Sequence, residues 1–202
     1  MEQPIVIGVE DLYFATLTSE TKTDGAWITV YGEPKPLAQT IELTLTPKIS
    51  QGRLAASNRN ARMVDRITGY TVSFHADAIS LPNRAELTGR QIDDNGGMAV
   101  RYGGDTPFVA IGFKGEKDES GAAEYVWLYK GKFAEFEKKY KSADPNGAIE
   151  YQTPTITGEF VARKDGEIAY WLDEETATTA GKAVIAGWFE EVVEPGTITP
   201  AP

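Results

Sequence analysis

Residues 40–46 read Thr40-Ile41-Glu42-Leu43-Thr44-Leu45-Thr46. Successive side chains of an extended chain point to opposite faces. Ile41, Leu43 and Leu45 therefore share one side, and Thr40, Glu42, Thr44 and Thr46 the other. This predicts a strand with a dry face and a wet face. Tyr70, Val72 and Phe74 repeat the pattern against Thr71, Ser73 and His75. Further strand-forming runs occupy residues 11–18, 26–31, 108–113, 124–129, 155–162 and 167–172. Turn residues separate them, as in Thr23-Asp24-Gly25 and in Lys164-Asp165-Gly166, which predicts a hairpin joining the last two runs. The pattern as a whole predicts a mainly β protein.

One run departs from the alternation. Tyr125, Trp127 and Tyr129 line one face and Val126 and Leu128 the other, so both faces are apolar. Such a strand needs cover on both sides, from a helix or from a neighbouring subunit. Tyr125, Trp127 and Tyr129 are thus expected in the core or between subunits. Two helices are expected. Residues 80–89 carry Pro82 near the start and Gly89 at the end. Residues 179–193 place Val184, Trp188 and Val192 four apart, with Ile185 and Phe189 beside them, preceded by Asp173-Glu174-Glu175. Val184, Trp188 and Phe189 are expected to pack this helix onto the body. Residues 131–141 fit a helix by the spacing of Phe133, Phe136 and Tyr140, but they follow a strand and are read as its end and a loop. Residues 51–63 are polar, basic and without period, and read as unstructured. No internal repeat or linker forces a second domain, so residues 1–194 are read as one domain and the Pro-rich residues 195–202 as a flexible tail.

The chain has 202 residues, enough to bury a core without staples, and no cysteine, which excludes disulfides and thiolate metal sites. No apolar run reaches the roughly 20 residues of a membrane-spanning helix, and the start, Met1-Glu2-Gln3-Pro4, lacks the basic and apolar regions of a secretory leader. A soluble protein made in a cytoplasm is expected. Thirty acidic against 20 basic residues give a net charge of -10. Such a surface repels phosphate backbones and argues against general nucleic-acid binding. The charge is uneven. Residues 48–66 hold Lys48, Arg53, Arg59, Arg62 and Arg66 against Asp65 alone, whereas Glu190, Glu191 and Glu194 crowd the other end. Read from composition only, the basic stretch is a solvated loop.

The inventory of chemistry is thin. His75 is the only histidine, on the polar face of a strand, and reads as a hydrogen-bonded surface group. Phosphate-binding loops, nucleophile elbows and dinucleotide fingerprints are missing. Asp93-Asp94-Asn95-Gly96-Gly97 reads as a solvated turn and not as a glycosidase carboxylate pair. No metal or cofactor is called for, and the chain is expected not to be an enzyme.

Several segments resemble, in order, the major tail protein family of siphophages, whose members form the tail tube. They are residues 125–133 (Tyr-Val-Trp-Leu-Tyr-Lys-Gly-Lys-Phe), residues 152–158 (Gln-Thr-Pro-Thr-Ile-Thr-Gly) with the Arg163-Lys164-Asp165-Gly166 turn, residues 8–15 (Gly-Val-Glu-Asp-Leu-Tyr-Phe-Ala), Tyr31-Gly32-Glu33-Pro34, and Trp188-Phe189. The resemblance implies a two-sheet β-sandwich or barrel-like fold with a flanking α-helix and a long inter-strand loop. It further implies hexameric rings that stack into a hollow tube around a tape-measure protein, capped by tail-tip and terminator proteins, with DNA in the lumen only in transit. The location implied is the virion tail, assembled in the host cytoplasm without a membrane. The position of the long loop matches residues 48–66. Lys48, Arg53, Asn58, Arg59, Arg62 and Arg66 thereby become candidates for an inter-ring contact, a reading that now displaces the solvated loop. The competing class is a β-sandwich carbohydrate-binding module using Trp27, Tyr31 and Trp171 as sugar platforms. A hydrolase, a terminator and a contractile-system tube subunit are the further alternatives.

Overall fold

In the computed structural model, described residues are 5–56, 59–118, 121–135, 137–138, 140, 142 and 153–196, with 53–56 and 59–63 described by their backbone only. The elements are β1 (Val6–Thr23), β2 (Ala26–Tyr31), β3 (Lys35–Ala38), β4 (Thr40–Ala56), β5 (Arg59–Ala76), α1 (Leu81–Thr88), β6 (Gln91–Ile92), β7 (Met98–Ala99), β8 (Val109–Lys117), β9 (Ala123–Phe133), β10 (Thr155–Val161), β11 (Ala169–Asp173) and α2 (Thr179–Ala186). The mainly β class expected from the sequence holds.

Nine strands form one antiparallel sheet in the order β2-β1-β8-β9-β10-β5-β4, with β3 also on β1 and β11 also on β9; β6 and β7 make a small second sheet. The large sheet does not close into a barrel. Its β2 and β4 edges are free of a strand partner among the described residues. The sheet divides at β9. β10 pairs with the end of β9 through Gly158 opposite Phe133 and Phe160 opposite Gly131, while β11 pairs with its beginning, from Leu128 to Glu124. The Lys164-Asp165-Gly166 turn is present, closed by Arg163 N–H to Glu167 O at 2.8 Å. It does not join two mutually paired strands as the sequence predicts, because β10 and β11 each dock on β9 instead.

One face of the sheet encloses the main core. Leu12, Phe14, Val72, Phe74, Ile111, Val126, Leu128, Phe133, Ile156 and Phe160 meet there, and Leu87 of α1 joins them. α1 is placed by its ends: Ser80 Oγ accepts from Asn83 N–H, and Gly89 stops the helix at φ 68°, where residues with a Cβ are strained. A Cβ at Gly89 would also lie 2.2 Å from the Asp105 carbonyl oxygen. Ile41, expected on the dry face of its strand, is exposed; a bulge between Thr40 and Glu42 turns it outward while Leu43 and Leu45 keep their contacts with the core.

The second face carries a second apolar cluster, built on Ala110, Trp127 and Tyr129 and completed by Trp188 and Val193. The doubly apolar β9 is thus covered on both sides by its own chain. The helix expected over residues 179–193 ends at Ala186. Beyond it the chain runs in tight turns, with Gly187 N–H to Val184 O, Trp188 N–H to Ile185 O and Glu190 N–H to Gly187 O. Continuing the helix would tie up the Trp188 carbonyl within the helix; here it accepts from Trp127 Nε1 at 3.1 Å.

Candidate interaction surfaces

The basic stretch is not a loop. Residues 49–56 pair with residues 59–67 as the outer half of the β4–β5 hairpin: Ile49 opposite Ile67, Ser50 opposite Arg66, Arg53 opposite Met63, Leu54 opposite Arg62 and Ala56 opposite Arg59. Eight residues at about 3.3 Å each make an arm of about 26 Å. The pairing escapes a reading by periodicity because the described side chains bury neither face: Ile49, Val64 and Ile67 are all more than half exposed. The arm begins where the body ends. β10 stops pairing with β5 at Val161 opposite Gly69. A Cβ at Gly69 would lie 2.1 Å from the Phe160 carbonyl oxygen, so glycine is required at this close approach. At the same level Thr68 Oγ1 donates to the Lys48 carbonyl at 3.1 Å, and Lys48 Nζ pairs with Glu159 at 2.7 Å.

The structure therefore gathers Lys48, Arg53, Arg59, Arg62 and Arg66 along one arm, with Lys48 at its root. Asn58 lies outside the described residues, as do the side chains of Arg53, Arg59 and Arg62. Phe136 and residues 197–202 also lie outside them, while the described residues from Ala134 to Ser142 form no regular structure.

Tyr125, Trp127 and Tyr129 face the carboxy-terminal segment. Trp127, Tyr129 and Trp188 are almost fully buried. Tyr125 packs tilted against Trp188 at 5.5 Å between centroids, and Phe189 stacks on Tyr13 at 4.5 Å. Tyr129 OH donates to the Val193 carbonyl at 2.8 Å. Val184, expected to pack α2 onto the body, is exposed instead, because the segment that reaches the sheet is the turn after the helix.

A residue missed by the sequence reading holds this segment down. Arg163 is buried, with its guanidinium bonded to Glu194 and Asp165 at 2.7 Å each and lying 4.3 Å over the Tyr129 ring. Burial alone would lower the basicity of Arg163, but its bonds to Glu194, Tyr31 and Asp165 outweigh that and raise it. Burial pushes the Tyr31 and Tyr129 phenols well above their ordinary value, so both act as donors. In the sequence Arg163 stands out only as the neighbour of the expected Lys164-Asp165-Gly166 hairpin turn.

Behind α2 lies an open groove of about 730 Å³ lined by Ala183, Val184, Val192 and Val193 together with Glu190, Glu191 and Glu194. None of the eight residues of α2 is buried, although seven of them are uncharged.

Each of the aromatic residues considered as sugar platforms has contacts within the chain. Tyr31 is half-buried with its hydroxyl donating to the Tyr129 carbonyl at 2.9 Å. Trp27 sits between Lys22 and Lys164, and Trp171 leans on Tyr70. His75 faces Thr155 Oγ1 at 3.2 Å. Asp93 accepts from the Asn95 and Gly97 N–H groups, making the expected turn. Among the described residues, no group of three or more His, Asp or Glu side chains is placed to hold a metal ion. No helix among them is long and apolar enough to cross a membrane.

No protein-family model matches this chain, and comparison with curated proteins gives no match. Among solved structures, it is similar to a chain from the cryo-electron microscopy structure of the anti-feeding prophage baseplate, 6-fold symmetrised, at 11% identity and a TM-score of 0.37, covering 85% of this chain and 97% of that one. A likeness of this size carries no argument about function.

Proposed function

We propose that this chain is a structural subunit that assembles with copies of itself into stacked hexameric rings, forming the tail tube of a long-tailed phage, and that it is not an enzyme. The observation that carries the reading is the basic arm. Some 26 Å of two-stranded sheet is held at its root and leaves Ile49, Val64 and Ile67 in solvent. A two-stranded ribbon is marginal alone in water, and an exposed strand edge is a template for pairing. An arm of this kind gains stability by docking on another copy. The β2 and β4 edges, free of a strand partner among the described residues, support ring formation by the same argument. The ordered resemblance to siphophage tail proteins supplies the identity of the assembly. In this reading a tape-measure protein occupies the lumen, tail-tip and terminator proteins cap the ends, and DNA passes in transit through an acidic channel. The test is negative-stain electron microscopy of the purified protein over a series of concentrations and salt. Rings or hollow tubes are expected; monomers that instead bind or cleave glycans would favour the carbohydrate-binding reading.

A further inference from the structure

We infer that the groove behind α2 is the acceptor for the basic arm of a second copy; this rests on the self-assembly reading and adds where the arm binds. α2 reads Thr-Ala-Gly-Lys-Ala-Val-Ile-Ala, with Lys182 its one charge and no residue buried. A surface helix of an isolated protein turns its apolar side inward and a charged side outward. Here Ala183 and Val184 remain exposed. They line the groove with Val192, and Glu190, Glu191 and Glu194 bring carboxylates to the same walls. Glu194 is already engaged by Arg163. Among the described residues no ion pair joins Glu190 or Glu191 to a cation, so these two supply the free negative charge.

The occupant must therefore be apolar and cationic together. Residues 48–66 hold five cations against one carboxylate, a charge of +4, so the remaining chain carries -10 - 4 = -14. Within a strongly acidic protein, the arm is the segment able to neutralise the groove, and it presents Ile49, Val64 and Ile67 beside its charges. Complementary charge sets register and speeds encounter, while the apolar contact excludes water. Because the donor and the acceptor are different patches, the contact is heterologous and propagates from copy to copy.

Site-directed disulfide trapping tests this, since the protein has no cysteine. Full-length Ser50→Cys and Ala183→Cys proteins, both substituted at exposed positions, are mixed and oxidised. Ser50→Cys mixed with Asp94→Cys, in the exposed turn at residues 93–97, is the control. The expected result is a mixed 50–183 dimer well above the control yield, lost severalfold in about 1 M salt and in a Glu190→Lys/Glu191→Lys background whose melting is unchanged. A 50–183 yield equal to the control, or one indifferent to the Glu190→Lys/Glu191→Lys change, would overturn the contact. Unmodified protein imaged in parallel separates the two ideas. Tubes with control-level trapping would reject this contact and leave the tube standing, whereas specific trapping without tubes would keep the contact and reject the tube.

Discussion

At the scale of single residues, glycines under aromatic rings set how the strands meet. Gly112 lies opposite Trp127, and a Cβ there would come 2.7 Å from the indole ring. Gly158 lies under Phe133 and Gly131 under Phe160, a reciprocal pair in one short ladder. Overpacking of such a site forces ring and backbone shifts. Gly112→Ala is therefore expected to lower stability by about 1–3 kcal/mol in urea unfolding, and an unchanged midpoint would contradict the packing. Glu20 is a second such residue. Its carboxylate accepts from Lys164 N–H at 2.9 Å and pairs with Lys130, tying β1 to β9 and to the turn after β10. Burial pushes its pKa up, but the Lys130 and Lys164 contacts outweigh that and hold it below the ordinary 4.5. A depressed carboxylate stabilises the fold above its unfolded value and loses that contribution as the pH falls through its folded value. The gap in melting temperature between wild type and Glu20→Gln should thus close as the pH drops from about 6 to about 3. A gap that stays constant would show that the ion pair adds nothing.

At the scale of elements, the sequence is most informative where an element buries one face. The alternation in residues 43–46 and 70–75 and the two-sided apolar character of β9 follow from burial, and each can be read without coordinates; Ile41 escapes the rule because a bulge turns it outward. The arm could not be read this way, because its described side chains, Ile49, Val64 and Ile67 among them, lie in solvent and give no reason to alternate. The cover of β9 was equally hidden. It adheres through the Trp188 and Val193 carbonyls and the Arg163–Glu194 pair, and backbone acceptors leave no pattern in the sequence. Charge-assisted hydrogen bonds of this kind contribute about 1.5–3 kcal/mol. Arg163→Ala is expected to destabilise by about that amount and to shift tryptophan emission to the red as the segment carrying Trp188 loosens. Unfolding and emission like wild type would mean that the aromatic contacts suffice without Arg163. In the arm, Arg59→Glu/Arg62→Glu should abolish ordered assembly while leaving circular dichroism and melting unchanged, since both positions lie in the outer half of the hairpin, beyond the end of the β5–β10 pairing. Normal tubes from that variant would remove the arm from the account.

At the scale of the whole molecule, the fold is built on one large open antiparallel sheet with one face closed over the main core and the other covered around β9 by the carboxy-terminal segment, while among the described residues the β2 and β4 edges lack a strand partner and the root of the arm and α2 stay exposed. Monomeric proteins blunt exposed edges with charge, proline or cover; β4 instead extends its edge into a longer, basic, partly apolar ribbon. The account therefore predicts that the monomer is an intermediate and that assembly is steered by charge, weakening as salt rises. Electron microscopy of the purified full-length protein, concentrated in low salt and again in high salt, tests this most directly. Stacked rings or hollow tubes of uniform diameter that disperse in high salt are the predicted result. Single particles of one-chain mass at every concentration and salt would contradict self-assembly as the function of this protein.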